Sequence, residues 1–174
     1  MITAHDPSTP YFLFLPWQAV HHPHEAPPDW PEQKDDIGSY RGMLWGTDRY
    51  VGELTSMFKA KGMYDNMLIV YSADNGGTAG GNNYPLRGFK RTNWEGGMRV
   101  AAFVSGGLIP AALRGTSNDQ RFHIVDWYPT FCHLAGIDSN DDSPTPPKAI
   151  DPALGPSQDI YGNNTWVSNH ITSI

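Results

Sequence analysis

Three short apolar runs constrain this chain more than anything else in it: "YFLFL" at Tyr11–Leu15, "MLIVYSA" at Met67–Ala73 and "RVAAFVS" at Arg99–Ser105. None alternates cleanly between apolar and polar residues. Each therefore predicts a strand covered on both faces, the pattern of a parallel central sheet. Between the first two lies Tyr40–Lys61, where Met43, Leu44, Tyr50, Val51, Leu54, Met57 and Phe58 recur at helical spacing. Gly62 follows where a helix takes a left-handed residue. A second helix is expected to start at Asp126 as its cap, tolerate Pro129 in its first turn, run through Leu134 and end at Gly136. The order strand, long helix, strand, loop, strand, helix implies right-handed crossovers and a mostly parallel sheet covered by helices. From Asp138 the text becomes polar and proline-rich, and residues 139–174 read as a loop-rich tail.

The chain has 174 residues, enough for one domain with a core. Its formal net charge of −6 leaves no basic surplus to neutralise phosphates, which argues against a nucleic-acid binder. There is one cysteine, Cys132, so the chain holds no internal disulfide. Its apolar, helix-like surroundings predict a buried packing role. No apolar run approaches the ~20 residues that span a bilayer. The first residues, "MITAHDPSTPYFLFLP", lack the basic start and cleavage pattern of a signal peptide, so the compartment is not encoded here. Asn163–Thr165 fits the N-glycosylation acceptor pattern.

In open α/β sheets ligands sit beyond the carboxyl ends of strands. That rule marks "PWQAVHHPH" at Pro16–His24 and the long glycine-rich segment Asp74–Arg91. Asp74 and Asn75 offer hard oxygen ligands suited to calcium or magnesium, or alternatively an Asx turn with Gly76 and Gly77 supplying positive φ. Two oxygens alone cannot satisfy calcium. The glycine run lacks the phosphate-loop signature, which argues against nucleotide binding. Arg87, Lys90 and Arg91 are candidates to face an oxyanion, with solvated surface as the alternative. His21, His22 and His24 lie in a proline-bounded segment that disfavours a helical metal pair. A histidine there can bind an anion or protonate a leaving group, and surface decoration is the alternative for His22 and His24.

Three segments, in this order, closely resemble the type I sulfatases: "PYFLFLPWQAVHHPHEAP", "LIVYSADNGGTAGGNNYPLRGFKRTNWEGGMRVAAFVSGG" and "HIVDWYPTFCHLAGID". Arylsulfatase B-like enzymes, which act on N-acetylgalactosamine sulfate, look nearest. The likeness covers Pro10–Asp138 and continues faintly through "DIYG". It implies the alkaline-phosphatase-like α/β/α sandwich, with residues 1–174 as part of one catalytic domain. It also implies that Asp74 and Asn75 are ligands to one calcium ion and that Lys90 binds the sulfate and its bridging oxygen. His21, on the same resemblance, binds sulfate and helps protonate the departing alcohol.

The family's nucleophile is a formylglycine made from the Cys or Ser of C/S-x-P-S-R, a motif this sequence lacks, and Cys132 in "CHLAG" cannot replace it. The early Asp-Asp calcium ligands and a further Lys/His pair are missing too. The expectation is therefore the later part of a sulfatase catalytic domain without its first half. That makes it a sulfuric ester hydrolase by family, acting on a sulfated carbohydrate or aryl sulfate, and inactive by itself. Alternatives are a non-catalytic remnant that binds sulfated glycan, or a phosphatase or phosphodiesterase of the same superfamily. The latter is disfavoured because such enzymes place histidines among zinc ligands where this chain has Asp-Asn. Family members are mostly lysosomal, secreted or periplasmic.

Overall fold

The structure, a computed structural model, describes residues 2–32, 35–78 and 80–140. Two compact units divide the chain, Met1–Thr116 and Ser117–Ile174. The expected tail at 141–174, with the acceptor pattern at Asn163–Thr165, lies outside the described residues.

The first unit is organised by one long helix, α1, Asp36–Ala60. Its start is chemically determined: the Asp35 side chain accepts a hydrogen bond from the Gly38 N–H at 2.6 Å, and Asp36 adds a carboxylate to the positive end of the helix dipole. Its end is determined by Gly62, whose φ of 69° suits a residue without a Cβ, while the Met63 N–H reaches back to the Phe58 carbonyl at 2.9 Å. Gly38, Gly42 and Gly46 form a stripe of small buried residues along the helix. Pro27 and Trp30 close on that stripe so tightly that a Cβ on Gly42 would lie 2.9 Å from the Trp30 ring, and one on Gly46 would lie 2.8 Å from Pro27 Cγ. The chain leaving the histidine segment is thereby laid along α1. At the other end of the helix, Phe58 packs with Ile2 and Met63 in a small core, flanked by Tyr11, Leu13, Leu54, Met57, Tyr64 and Met67.

The sheet departs from expectation in two ways. Strands β1, Ile69–Ser72, and β2, Ala102–Ser105, pair antiparallel, with Tyr71 opposite Phe103 and their rings stacked at 5.1 Å. A parallel pair needs a crossover that returns the chain to the opposite end of the sheet. Here the connection stays at one end, and the Ala73 N–H bonds the Ala101 carbonyl at 3.1 Å, closing the loop at its base. The run Tyr11–Leu15 is not a strand. Tyr11 and Leu13 turn toward the core while Phe12 and Phe14 are 72% and 76% exposed, so its side chains alternate between the two sides instead of being covered on both. The sheet of the described residues is thus two antiparallel strands, not a parallel sandwich.

In the second unit, α3 spans Trp127–Ala135 and ends at Gly136, whose φ is 69°. Cys132 is buried in it, as its apolar surroundings predict. Asp126 precedes the helix, but its carboxylate does not cap α3. It accepts instead from the His123 N–H at 2.7 Å, closing a single tight turn over Ile124–Asp126.

Candidate functional site

Asp74 and Asn75 follow the carboxyl end of β1, after Ala73. Asp74 is exposed, and its Oδ1 accepts from the Asn75 N–H at 2.9 Å, one residue on and not the two of an Asx turn; nor do Gly76 and Gly77 take the positive φ that alternative expected. Its other oxygen is not used in that bond. Asn75 donates its amide nitrogen to the Gly76 carbonyl at 3.0 Å, a bond that leaves its amide oxygen, the atom a hard cation takes, out of use. The donor set fits part of a calcium shell, two oxygens where six to eight are needed.

Glycines then let two backbones touch. The Gly76 N–H donates to the Gly97 carbonyl at 2.9 Å, and a Cβ on Gly76 would run into the Gly96 carbonyl. Gly96 and Gly97 belong to a single helical turn, α2, Glu95–Met98. Asn83 ties the rest of the loop together. Its Oδ1 accepts from the Gly77 N–H at 2.8 Å, and its Nδ2 donates to the carbonyls of Gly77 (2.9 Å) and Gly88 (3.2 Å). The Lys90 N–H also reaches the Gly77 carbonyl, at 3.4 Å. The backbone of Lys90 is thus bonded to Gly77, two residues after Asn75 in sequence.

The three cations of this loop are treated differently. The Arg87 guanidinium lies 3.7 Å from the centre of the Trp94 ring and is occupied there. Arg91 is exposed and has a φ of 76°, at the tip of a turn that the Thr92 hydroxyl closes by donating to the Phe89 carbonyl at 2.7 Å. Lys90 is half-buried and makes no ion pair among the described residues.

The histidine segment reaches the same loop. A Cβ on Gly80 would lie 3.9 Å from His24 Cε1. His21 is exposed, and its Nδ1 lies 2.9 Å from the His22 carbonyl. A carbonyl only accepts, so Nδ1 carries the proton and Nε2 is the position left for exchange with a ligand. His24 is not surface decoration: its side chain is 3% exposed, and its Nδ1 lies 2.8 Å from Asp36 Oδ1 on α1. Asn83, Thr92 and the His24–Asp36 contact escaped sequence reasoning. Only Asn83 left a signal, an amide inside a glycine run, where a loop without a ladder needs both a donor and an acceptor. An apolar groove of about 620 Å³ between Leu15–Ala19 and α1 contains none of the predicted site residues.

Just past the end of β1 a carboxylate and an amide are thus followed by a glycine loop in which the Lys90 N–H bonds the Gly77 carbonyl. The chain belongs to the sulfatase family, whose profile matches residues 1–137. It is 43% identical over 142 residues to arylsulfatase J of Mus musculus, a match that covers 78% of this chain and 23% of that protein. To N-acetylgalactosamine-6-sulfatase of Rattus norvegicus it is 30% identical over 147 residues, covering 78% of this chain and 26% of the other. The crystal structure of Ps i-CgsB in complex with k-i-k-neocarrahexaose superposes with a TM-score of 0.62 at 37% identity, over 69% of this chain and 28% of that one. The chain thus spans about a quarter of the length of these relatives.

Proposed function

We propose that this chain supplies one side of the active site of a sulfuric ester hydrolase, within a larger alkaline-phosphatase-like catalytic domain. The observation that carries the reading is the stitching of Lys90 to Gly77, immediately after Asp74 and Asn75, through Asn83 and the loop backbone. Asp74 and Asn75 would hold one calcium ion, which when bound draws charge from the sulfuryl oxygens. Lys90 faces the sulfate and its bridging oxygen, and its charge counts most as the S–O bond breaks and negative charge moves to the leaving oxygen. His21, as the imidazolium, keeps its Nδ1–H on the His22 carbonyl and carries at Nε2 the second proton, which the leaving alkoxide takes up. The nucleophile, a formylglycine by family resemblance, is not among these residues.

The substrate is proposed to be a sulfated sugar. Support comes from one relative whose name specifies N-acetylgalactosamine 6-sulfate chemistry and from a neighbour in complex with neocarrahexaose. An arylsulfatase B-like preference for N-acetylgalactosamine sulfate is the finer version of this proposal.

The test is a chimera in which residues 1–137 replace the matching segment of arylsulfatase J. The expected outcome is release of 4-methylumbelliferone from its sulfate ester, abolished or nearly so by His21→Ala. A folded chimera that binds sulfated sugar without turning it over would favour the non-catalytic glycan binder. Turnover of the phosphate ester in preference to the sulfate would favour a phosphatase.

A further inference from the structure

We propose that His22, His24 and Asp36 form a binding site for a first-row transition-metal dication of the zinc type, chemically distinct from the hard-oxygen pair Asp74–Asn75. One ligand atom from each of the three lies within 4.8 Å of the others. Two imidazoles and a carboxylate form a donor set that zinc accepts and calcium does not.

The distances bracket what such an ion requires. Zinc bonds of about 2.0–2.1 Å in a tetrahedral shell place neighbouring donors roughly 3.3 Å apart. Asp36 Oδ1 stands 2.8 Å from His24 Nδ1 and 4.0 Å from His22 Nδ1. The metal would replace the proton shared by His24 and Asp36, opening the short separation slightly and closing the long one. His24 is pre-organised for this: its side chain is 3% exposed, set edge-on against Tyr40, with Nδ1 already aimed at the carboxylate.

The site requires one adjustment in the histidine rings. The His22 and His24 rings are stacked at 3.8 Å with 19° between their planes. A metal lies in the plane of each imidazole it binds, so two stacked rings cannot both serve it. His22, with its side chain 48% exposed, is the ring with room to turn. Water would complete the shell. Asp35, beside Asp36, stays engaged as the cap of α1 and does not compete for the ion.

The site would clamp the segment that carries His21 to the first turn of α1. Metal-bound protein should therefore be more stable than metal-free protein, because the ion binds only the folded arrangement.

The experiment is calorimetric titration of zinc chloride into the tag-free, chelator-treated full chain, with thermal unfolding followed in parallel. The expected result is one zinc per chain with micromolar or tighter affinity and a raised Tm, neither of which equimolar calcium reproduces. His22→Ala, at the half-exposed ligand, should weaken zinc binding by about tenfold or more while leaving the metal-free Tm nearly unchanged. Asp36→Asn should weaken zinc binding likewise, with a small fall in the metal-free Tm from the lost charge at the start of α1, and its amide oxygen still accepts from His24. Absence of zinc binding to the folded chain would overturn the proposal. So would zinc binding that survives unchanged in both variants, since the ion would then be held by other histidines.

Discussion

Helix α1 and the glycine loop that follows β1 solve opposite problems. Along α1 every turn repeats the last, and glycine at positions 42 and 46 serves closeness: Trp30 and Pro27 lie where side chains would be. In residues 74–99 nothing repeats, and glycine at 76, 96 and 97 serves a backbone that must touch itself without a ladder. The helix draws its order from many equivalent bonds, so no single one matters much. The loop draws its order from a few unequal ones, concentrated on Asn83. The comparison can be broken at specific residues.

The largest effect is expected at Lys90. In an active chimera, Lys90→Ala should lower kcat on a poor leaving group by about 10²–10³, or ~3–4 kcal/mol of barrier. It should cost less with nitrophenyl sulfate, whose phenolate needs less help. Arg91→Ala should change little, since Arg91 is exposed at the tip of its turn. A larger loss from Arg91→Ala would reverse the assignment of which cation faces the anion.

Next comes Asn83→Ala, which strands the Gly77 N–H and the Gly88 carbonyl and leaves the Gly77 carbonyl only the long bond from Lys90. A loss of about 2–3 kcal/mol is expected, two or three partly buried hydrogen bonds at ~1 kcal/mol each. Hydrogen exchange should accelerate through residues 76–90 and leave the middle of α1 protected. Uniform acceleration across both would show that the loop and the helix are one cooperative unit.

Two glycines of α1 then separate packing from propensity. Gly42→Ala should destabilise by about 1–3 kcal/mol because its methyl meets Trp30 and Ala26. Gly52→Ala, with nothing within 4 Å of the new methyl, should stabilise by about 0.5–1 kcal/mol through helix propensity alone. Chemical denaturation of the pair gives the signs directly, and equal signs would mean that Ala26 and Trp30 do not rest on the helix in solution. The smallest effect belongs to Arg91→Gly. Relief of a positive φ is partly offset by glycine's extra freedom in the unfolded chain, leaving a gain of roughly 0.5 kcal/mol in the same measurement.

The parts of the molecule legible in the sequence are those whose causes lie within a few residues. The apolar spacing of Tyr40–Lys61 and the glycine at 62 identified α1, although its first turn, Asp36–Ser39, begins earlier than the apolar pattern because Asp35 caps it. Gly136 marked the end of α3 for the same local reason. The chemistry of the loop was legible as residue types at a strand end: Asp74 and Asn75 emerge where β1 stops, and Lys90 returns to Gly77. Their roles rest on the resemblance and are the matter of the chimera experiment. His24 was illegible, because its partner, Asp36, is defined by how Pro27 and Trp30 seat on α1 and not by any nearby residue.

The sequence by itself determined where α1 and α3 end, and the family to which the chain belongs. Capping, left-handed glycines and ligand chemistry are short-range properties, readable from a window of the chain. Only the tertiary structure decided that β1 and β2 run antiparallel and that Phe12 and Phe14 face outward. It also decided that Asp126 bonds back to His123 in place of capping α3, and that one histidine of three is buried against a carboxylate. Each of these depends on which distant or competing group arrives first within bonding distance, and an apolar run carries no mark of its partner's direction.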